Sequence, residues 1–270
     1  MMTEYYRIAD KRIRISSIHE QVHKLCADYR DPDGPPGREE QQDQKDKPVD
    51  IIVCISQEDI DFERRKSERE RHGRSMTGVS RGSSYTFSDS YLETLAVYRR
   101  IAEKMPDFDT ILFHGSCVAV DGVGYLFAAK SGTGKSTHTR LWRQVFGDRA
   151  VMINDDKPMI RAGGEGESPV IFGTPWDGKH HLSTNTCVPL KDLCILERAG
   201  ENTIRALSPQ EAYPMLLKQV YRPMNLPAME KTLCILDRLM TSVGLWRLGC
   251  TIDPQAACIA YNAFQNGSVH

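Results

Sequence analysis

The sequence predicts an α/β protein: a mixed β-sheet core with flanking helices, a P-loop fed by a β-hairpin, and a small N-terminal β/α annex. Three observations predict it. Short β-branched or apolar runs of strand length alternate with amphipathic segments of helical period. One such run, residues 125–129, passes straight into Lys130-Ser131-Gly132-Thr133-Gly134-Lys135-Ser136 and then into a helix-like segment. Ahead of it Asp121-Gly122, favoured hairpin-turn chemistry, joins it to the apolar run of residues 111–120.

In chain order, alternation in residues 7–15 suggests a strand, and residues 17–29 read as a short helix with Ser16 or Ser17 as its cap. Residues 31–47 hold prolines, glycines and charges with almost no apolar side chains. They bury too little surface to offset their ordering entropy, which predicts a mobile polar linker. Residues 49–55 have the β-branched density of a strand, with Cys54 expected inside it. Residues 61–74, with both charge signs interleaved, predict a solvated helix laced with i,i+4 ion pairs, and 76–84 a Gly/Ser loop. Residues 1–84 therefore form the annex and 85–270 the P-loop domain.

Within the larger domain a helix starts at Ser88 or Asp89, and the phosphate-loop helix runs to Phe146, closed by Gly147. Residues 150–153 form a strand ending in Asn154-Asp155-Asp156. Residues 157–161 and 169–172 pair around a Gly/Glu loop, and 192–198, 203–207 and 246–250 are further strands. Ser208-Pro209-Gln210-Glu211 opens a capped helix, residues 227–243 form a long amphipathic one, and Asp253-Pro254 starts the last.

Composition narrows the function. A formal net charge of −1 argues against a protein that coats nucleic acid. No apolar run reaches the roughly 18 residues needed to cross a bilayer, and residues 1–7 lack a signal-peptide core. The 8 cysteines never form C-x-x-C or a zinc spacing, so they read as buried reduced thiols and the expected location is the cytoplasm.

The chemistry centres on the glycine loop. Backbone N–H groups of Ser131, Gly132, Thr133, Gly134 and Thr137 are expected to cradle a nucleotide's phosphates at a helix N-terminus. Lys135 reaches the β/γ-phosphates and the Ser136 hydroxyl ligates Mg²⁺. Ala129 stands where the full pattern has its first glycine, and an ordinary Gly-rich turn is the alternative. Asp155 and Asp156, at a strand's C-terminal end, suit a division of labour in which one holds Mg²⁺ and the other takes the proton from an attacking hydroxyl. Their mutual repulsion would raise one pKa. A plain Asp turn is the alternative. His114 is either a core residue of an apolar strand or brought near the phosphates by the hairpin. Lys179 and His180, in a polar loop with His181, and Arg222 are candidate substrate contacts, with Arg161 and Arg198 as further phosphate clamps.

His114-Gly115, the Asp121-Gly122 hairpin, the P-loop and Asn154-Asp155-Asp156 occur in an order that resembles the HPr kinase/phosphorylase C-terminal domain. The loop and paired aspartates also look like those of the phosphoenolpyruvate carboxykinase fold. The resemblance covers residues 110–160 well and the rest of 85–270 only in arrangement. It implies ATP and Mg²⁺ as cofactors, Ser136 with Asp156 as metal ligands, Asp155 or Asp156 as the base, and a supporting role for His114. Relatives of this kind are commonly oligomeric, which implies a homo-oligomer. The Gly/Glu-rich segment of true HPr kinases is replaced by Gly173-Thr174-Pro175-Trp176-Asp177-Gly178-Lys179-His180-His181, which implies a different acceptor. The function expected is a kinase that phosphorylates a hydroxyl on a small metabolite or on a peptide or protein serine. The alternative is a nucleotide-gated regulatory protein without catalysis.

Overall fold

The computed structural model describes residues 1–32, 48–75, 87–164 and 166–267, with the side chains of 71–75 excepted. The linker expected at 31–47 lies, from residue 33 on, outside the described residues, as does the loop expected at 76–84. The chain divides into two units, Met1–Ile101 and Ala102–His270.

In the first unit β1 (Met2–Ile8) and β2 (Lys11–Ser17) form an antiparallel hairpin. Its turn residues Ala9 and Asp10 are both left-handed, with φ of 50° and 62°. Alanine carries no turn signal, so the sequence shows one strand where there are two. The helix expected over 17–29 is only α1 (Gln21–Leu25) followed by a 3₁₀ turn, and Ser16 and Ser17 end β2 instead of capping it. The buried Ser17 hydroxyl donates to the His19 carbonyl and lies 2.9 Å from His23 Nε2. Next, β3 (Ile51–Cys54) pairs parallel to β2. It buries Ile51 and Val53 and turns Cys54 outward, so that thiol is exposed where a buried one was expected. Cys26, Cys117 and Cys194 are buried, and all eight cysteines are free.

Two helices complete the unit, α2 (Gln57–Ser75) and α3 (Asp89–Lys104). Arg99 donates to Glu63 at 2.6 Å and Asp59 at 2.8 Å, all three side chains being buried, and Arg64 reaches Asp89 at 2.6 Å. Among the described residues the ion pairs of α2 thus run mainly across to α3 rather than along α2 at i,i+4 spacing; Arg64–Asp61 is an i,i+3 pair. These pairs tie α3, the helix that the sequence places at the head of the second domain, to the first unit as far as Ile101. Glu93 adds to this by accepting the N–H groups of Ile18 and His19.

The second unit is built on one nine-stranded mixed sheet with helices on both faces. Its elements are β4 (Thr110–Leu112), β5 (Ser116–Val120), β6 (Val123–Ala128), α4 (Lys135–Phe146), β7 (Ala150–Asn154), β8 (Met159–Arg161) and β9 (Val170–Phe172). They continue with β10 (Cys187–Arg198), β11 (Thr203–Ala206), α5 (Pro209–Leu216), α6 (Leu226–Ser242), β12 (Gly244–Cys250) and α7 (Gln255–Asn266). The main path is β4-β8-β9-β10-β6-β5-β7, with β12 pairing both β10 and β11. The single strand expected over 111–120 is two, because β4 pairs with β8 while β5 pairs with β6 and β7. The chain crosses between them at Gly115, where a Cβ would stand 2.8 Å from Leu126 Cδ1.

The predicted hairpin is present: Asp121 (φ 52°) and Gly122 (φ 78°) turn β5 into β6. Strand directions then decide where the chemistry collects. β5 is antiparallel to β6 and β7, whereas β10 and β12 each run parallel to their neighbour in the set β6-β10-β12. β6, β7, β10 and β12 therefore share one direction and end at one edge of the sheet. On one face α4 and α7 bury Trp142 and Phe264 against Tyr125 and Phe127, with ring centroids 5.0–6.0 Å apart in the Tyr125–Trp142, Phe127–Trp142, Tyr125–Phe264 and Trp142–Phe264 pairs. On the other, α5 and α6 cover Ile111, Leu126, Ile195 and Leu245. α5 carries the predicted capping box, Ser208 with Glu211, and α6 is capped by Asn225.

Candidate active site

Residues 129–134 leave β6 and curl into α4. Gly132 (φ 80°) and Gly134 (φ 119°) hold left-handed backbone, which only glycine adopts without strain. Ala129 is buried without such a φ, so the position where the full pattern has glycine tolerates a Cβ here. α4 begins without a side-chain cap and with no acidic residue in its first turn. Its opening N–H groups thus keep both their hydrogen-bonding capacity and the positive end of the helix dipole for an anion. At the outer side of the loop, Arg198 from the end of β10 donates to the carbonyls of Gly132 and Thr133. The expected phosphate clamp Arg198 instead holds the loop's backbone. Arg161 stacks on the Phe172 ring at 5.0 Å and is not at the site.

Lys135 is 9% exposed, and its Nζ lies 3.3 Å from His114 Nε2 and 3.5 Å from the Ala129 carbonyl. Burial pushes its pKa down, and the charges of Asp156 and Asp155 work against that. His114 is not in a strand. It sits in the crossing between β4 and β5, where its backbone N–H donates to the Gln219 carbonyl at 2.7 Å. The same Nε2 is 3.2 Å from Asp156 Oδ1, so one ring nitrogen faces both a lysine donor and a carboxylate acceptor.

The two aspartates differ. Asp155 is 5% exposed, and the buried Ser116 hydroxyl donates to its Oδ1 at 2.7 Å while lying 3.0 Å from Thr139 Oγ1 of α4. Asp156 is about one-third exposed, with Oδ1 against His114 and Oδ2 accepting from Lys157 Nζ at 2.9 Å. Burial alone would raise the Asp156 pKa, but the His114 hydrogen bond and the Lys157 charge outweigh it and hold it at about 2. Repulsion within the pair does not make Asp156 a high-pKa group, because the His114 hydrogen bond and the neighbouring Lys157 charge act on it. Asn154 organises the turn: its Oδ1 accepts from the backbone of Asp156 and Lys157, and its Nδ2 donates to Thr174.

That last bond pins the polar loop 173–185 beside the aspartates. Gly173 packs so closely that a Cβ would meet the Thr184 carbonyl at 2.0 Å, and Gly178 lies against Asp156. Lys179 and His180 are exposed on the 3₁₀ turn Gly178–His180 next to it, while His181 lies 3.2 Å from Asp177. Arg222 is exposed, one residue past Tyr221, whose N–H donates to the Leu112 carbonyl. The structure thus gathers His114, Lys135, Asp155 and Asp156 and borders them with Lys179 and His180. It brings Arg222 to the neighbouring segment only.

Sequence reasoning missed Lys157 and Ser116. An Asp-Asp-Lys run and a serine opening a strand carry no motif; only β5 running antiparallel beside β7 brings Ser116 to Asp155. No cluster of three His, Cys, Asp or Glu residues that could hold a metal occurs among the described residues. The donor set still suits Mg²⁺, which binds through one or two carboxylates plus phosphate oxygens and keeps several waters. The Ser136 hydroxyl has no hydrogen-bond partner among the described residues, and Asp155 has only one oxygen bonded.

No family model matches the chain, and no curated protein matches it. Among solved structures it is similar to the HPr(Ser) kinase/phosphatase from Coxiella burnetii, at 10% identity and a TM-score of 0.31. The match covers 58% of this chain and 99% of that one. The likeness is distant, and the functional reading stands on the site's own geometry. No helix among the described residues is long and apolar enough to cross a membrane.

Proposed function

We propose that the chain binds a nucleoside triphosphate, ATP in the first instance, with Mg²⁺, and transfers its γ-phosphoryl group to a hydroxyl acceptor. The observation that carries this reading is the convergence at one sheet edge of an uncapped glycine loop, a buried Lys135 and two carboxylates, with His114 linking Lys135 to Asp156.

The loop N–H groups and Lys135 bind and orient the phosphates. Ser136 and Asp155 would hold the metal, which when bound neutralises charge on the β- and γ-phosphate oxygens. The sequence left the division between the two aspartates open, with Asp156 named as a metal ligand; Asp155 is preferred here because both Asp156 oxygens meet His114 and Lys157 while Asp155 keeps one unbonded. Asp156, the more exposed of the pair and ionised at any pH well above 2, takes the acceptor's proton. The acceptor oxygen forms a bond to the γ-phosphorus, the bridging oxygen leaves with the nucleoside diphosphate, and the hydroxyl proton passes to Asp156. A weak base suffices, because little negative charge builds on the attacking oxygen in a loose transition state. His114 and Lys157 position that carboxylate, and Lys179 and His180 border the acceptor's approach. The acceptor is a hydroxyl-bearing metabolite or a peptide serine.

ATP labelled at the γ-position, incubated with the chain and a panel of hydroxyl-bearing metabolites and peptides, tests this by mass spectrometry. Label on an acceptor, lost in Asp156→Asn, supports it; label only in inorganic phosphate under every condition rejects it. A nucleotide-gated regulator without catalysis draws support from both Asp156 oxygens already being engaged, by His114 and Lys157, and label on any acceptor excludes it.

A further inference from the structure

Beside the P-loop, on the side away from the aspartates, a groove of about 390 Å³ runs between the start of α4 and the segment joining β12 to α7. Thr133, Thr137 and His138 form one wall, and Ala199, Thr251 and Ile252 the other. Its volume lies in the range of small-molecule sites, roughly 300–1,000 Å³. One of its residues carries an unmet demand. His138 is 2% exposed, and its Nε2 accepts from the Trp142 indole N–H at 3.0 Å. Indole nitrogen only donates, so in the neutral ring the proton is at Nδ1. That Nδ1 is buried without a hydrogen-bond partner. A buried donor with nothing to bond is costly, and native structures rarely keep one unless something else fills it.

The groove also has an apolar side. Ile252 lines it and is 81% exposed, a large hydrophobic residue facing solvent at the mouth of a polar loop. A ligand that is flat and apolar on one face, bears a hydrogen-bond acceptor and continues into phosphate fits all three features. We propose that this groove holds the nucleoside of the nucleotide whose phosphates occupy the P-loop, with His138 Nδ1–H donating to an acceptor atom of its base or sugar and Ile252 packing on its face. This rests on the phosphate-binding reading of the loop and adds what reads the rest of the ligand. His138 is then a specificity-determining residue: a donor-only contact favours ligands with an acceptor there and leaves a donor-bearing edge unpaired.

The test compares MgATP with Mg-tripolyphosphate, which carries the phosphate chain without a nucleoside, by calorimetric titration of the full chain. Wild type is expected to bind MgATP at least about 10-fold more tightly than tripolyphosphate. His138→Gln, which keeps an acceptor for Trp142 but no donor at the Nδ1 position, should weaken MgATP roughly 5–30-fold and leave tripolyphosphate unchanged. Ile252→Asp, at an exposed position that does not endanger folding, should act in the same direction. Equal affinity of wild type for the two ligands, or an unchanged MgATP affinity in Ile252→Asp, overturns the groove assignment while leaving the P-loop reading intact. Failure of wild type to bind either ligand overturns both.

Discussion

Asp156 and Asp192 are acidic residues of the same unit, both largely removed from solvent, and their pKa values move in opposite directions. Asp156 follows β7 at the edge where the P-loop begins, and its two oxygens meet His114 and Lys157. Asp192 lies inside β10, level with Gly244 where β12 starts, and is fully buried. It accepts one hydrogen bond, from Trp246 Nε1 at 2.7 Å, and its second oxygen is buried without a partner. Burial therefore raises its pKa to about 6, against weaker opposition from Trp246 and Lys191. Burial is common to both; the partners decide the sign. A cluster that holds a carboxylate charged is suited to chemistry on phosphate, while a lone buried carboxyl is a standing cost to the fold at neutral pH.

The largest effect is expected at the site edge. Asp156→Asn removes the proposed proton acceptor and leaves a single acceptor oxygen where Lys157 and His114 now meet two, so phosphoryl transfer should fall by roughly 10²–10⁴-fold. Calorimetry should show MgATP affinity within a few-fold of wild type. An equal loss in binding and transfer would mean that Asp156 holds the nucleotide rather than the acceptor.

At the other end of the comparison, Asp192→Asn should stabilise the protein. The folded pKa is raised above the ordinary carboxylate value, so the protonated form is the one favoured by folding. Its contribution is whole below about pH 3.8 and lost as pH rises through about 6. Asparagine can still accept from Trp246 without carrying a charge. Chemical denaturation at pH 7.5 should show a gain of roughly 2–3 kcal/mol, shrinking to nothing near pH 4. A gain that persists at pH 4 would place the effect in packing.

Lys157→Met tests the partners directly. It deletes one of the two groups holding Asp156 low, so the acid limb of the pH–rate profile for transfer should move up by roughly one unit. An unmoved limb would leave His114 as the sole group that matters. The smallest effect belongs to the loop: Ala129→Gly should cost no more than about 1 kcal/mol in stability and leave MgATP affinity unchanged, since Ala129 already sits in ordinary backbone.

Much of this architecture was legible because it was local. The Asp121-Gly122 turn, the glycine loop, the Ser208 capping box and the strand ending in Asn154 are each written in a few adjacent residues. What escaped reading depends on partners distant in sequence. His114 looked like part of a strand because apolar residues, 111–113 and 117–120, lie on both sides of it; the break appears only when β8 takes Leu112 and β6 takes Ser116. Arg198 was a candidate phosphate clamp on residue type alone. Its use on loop carbonyls follows from where β10 ends. Asp192, in a strand-like run, gives no sign of its burial, and its place there needs Gly244 to have no side chain: a Cβ would fall 2.1 Å from Asp192 Oδ1, the oxygen that accepts from Trp246.

The parallel pairing of β6 with β10 also sets an order of assembly. The glycine loop is complete in sequence at Ser136, but the strand that flanks β6 and the arginine that braces the loop come only with Cys187–Arg198. Closing such a long connection is entropically slow. During synthesis a ribosome-bound chain that has emerged only through β7 carries the whole glycine loop without the scaffold that shapes it. The final shape of the glycine loop thus depends on Arg198, 62 residues beyond Ser136, and not on the local motif alone.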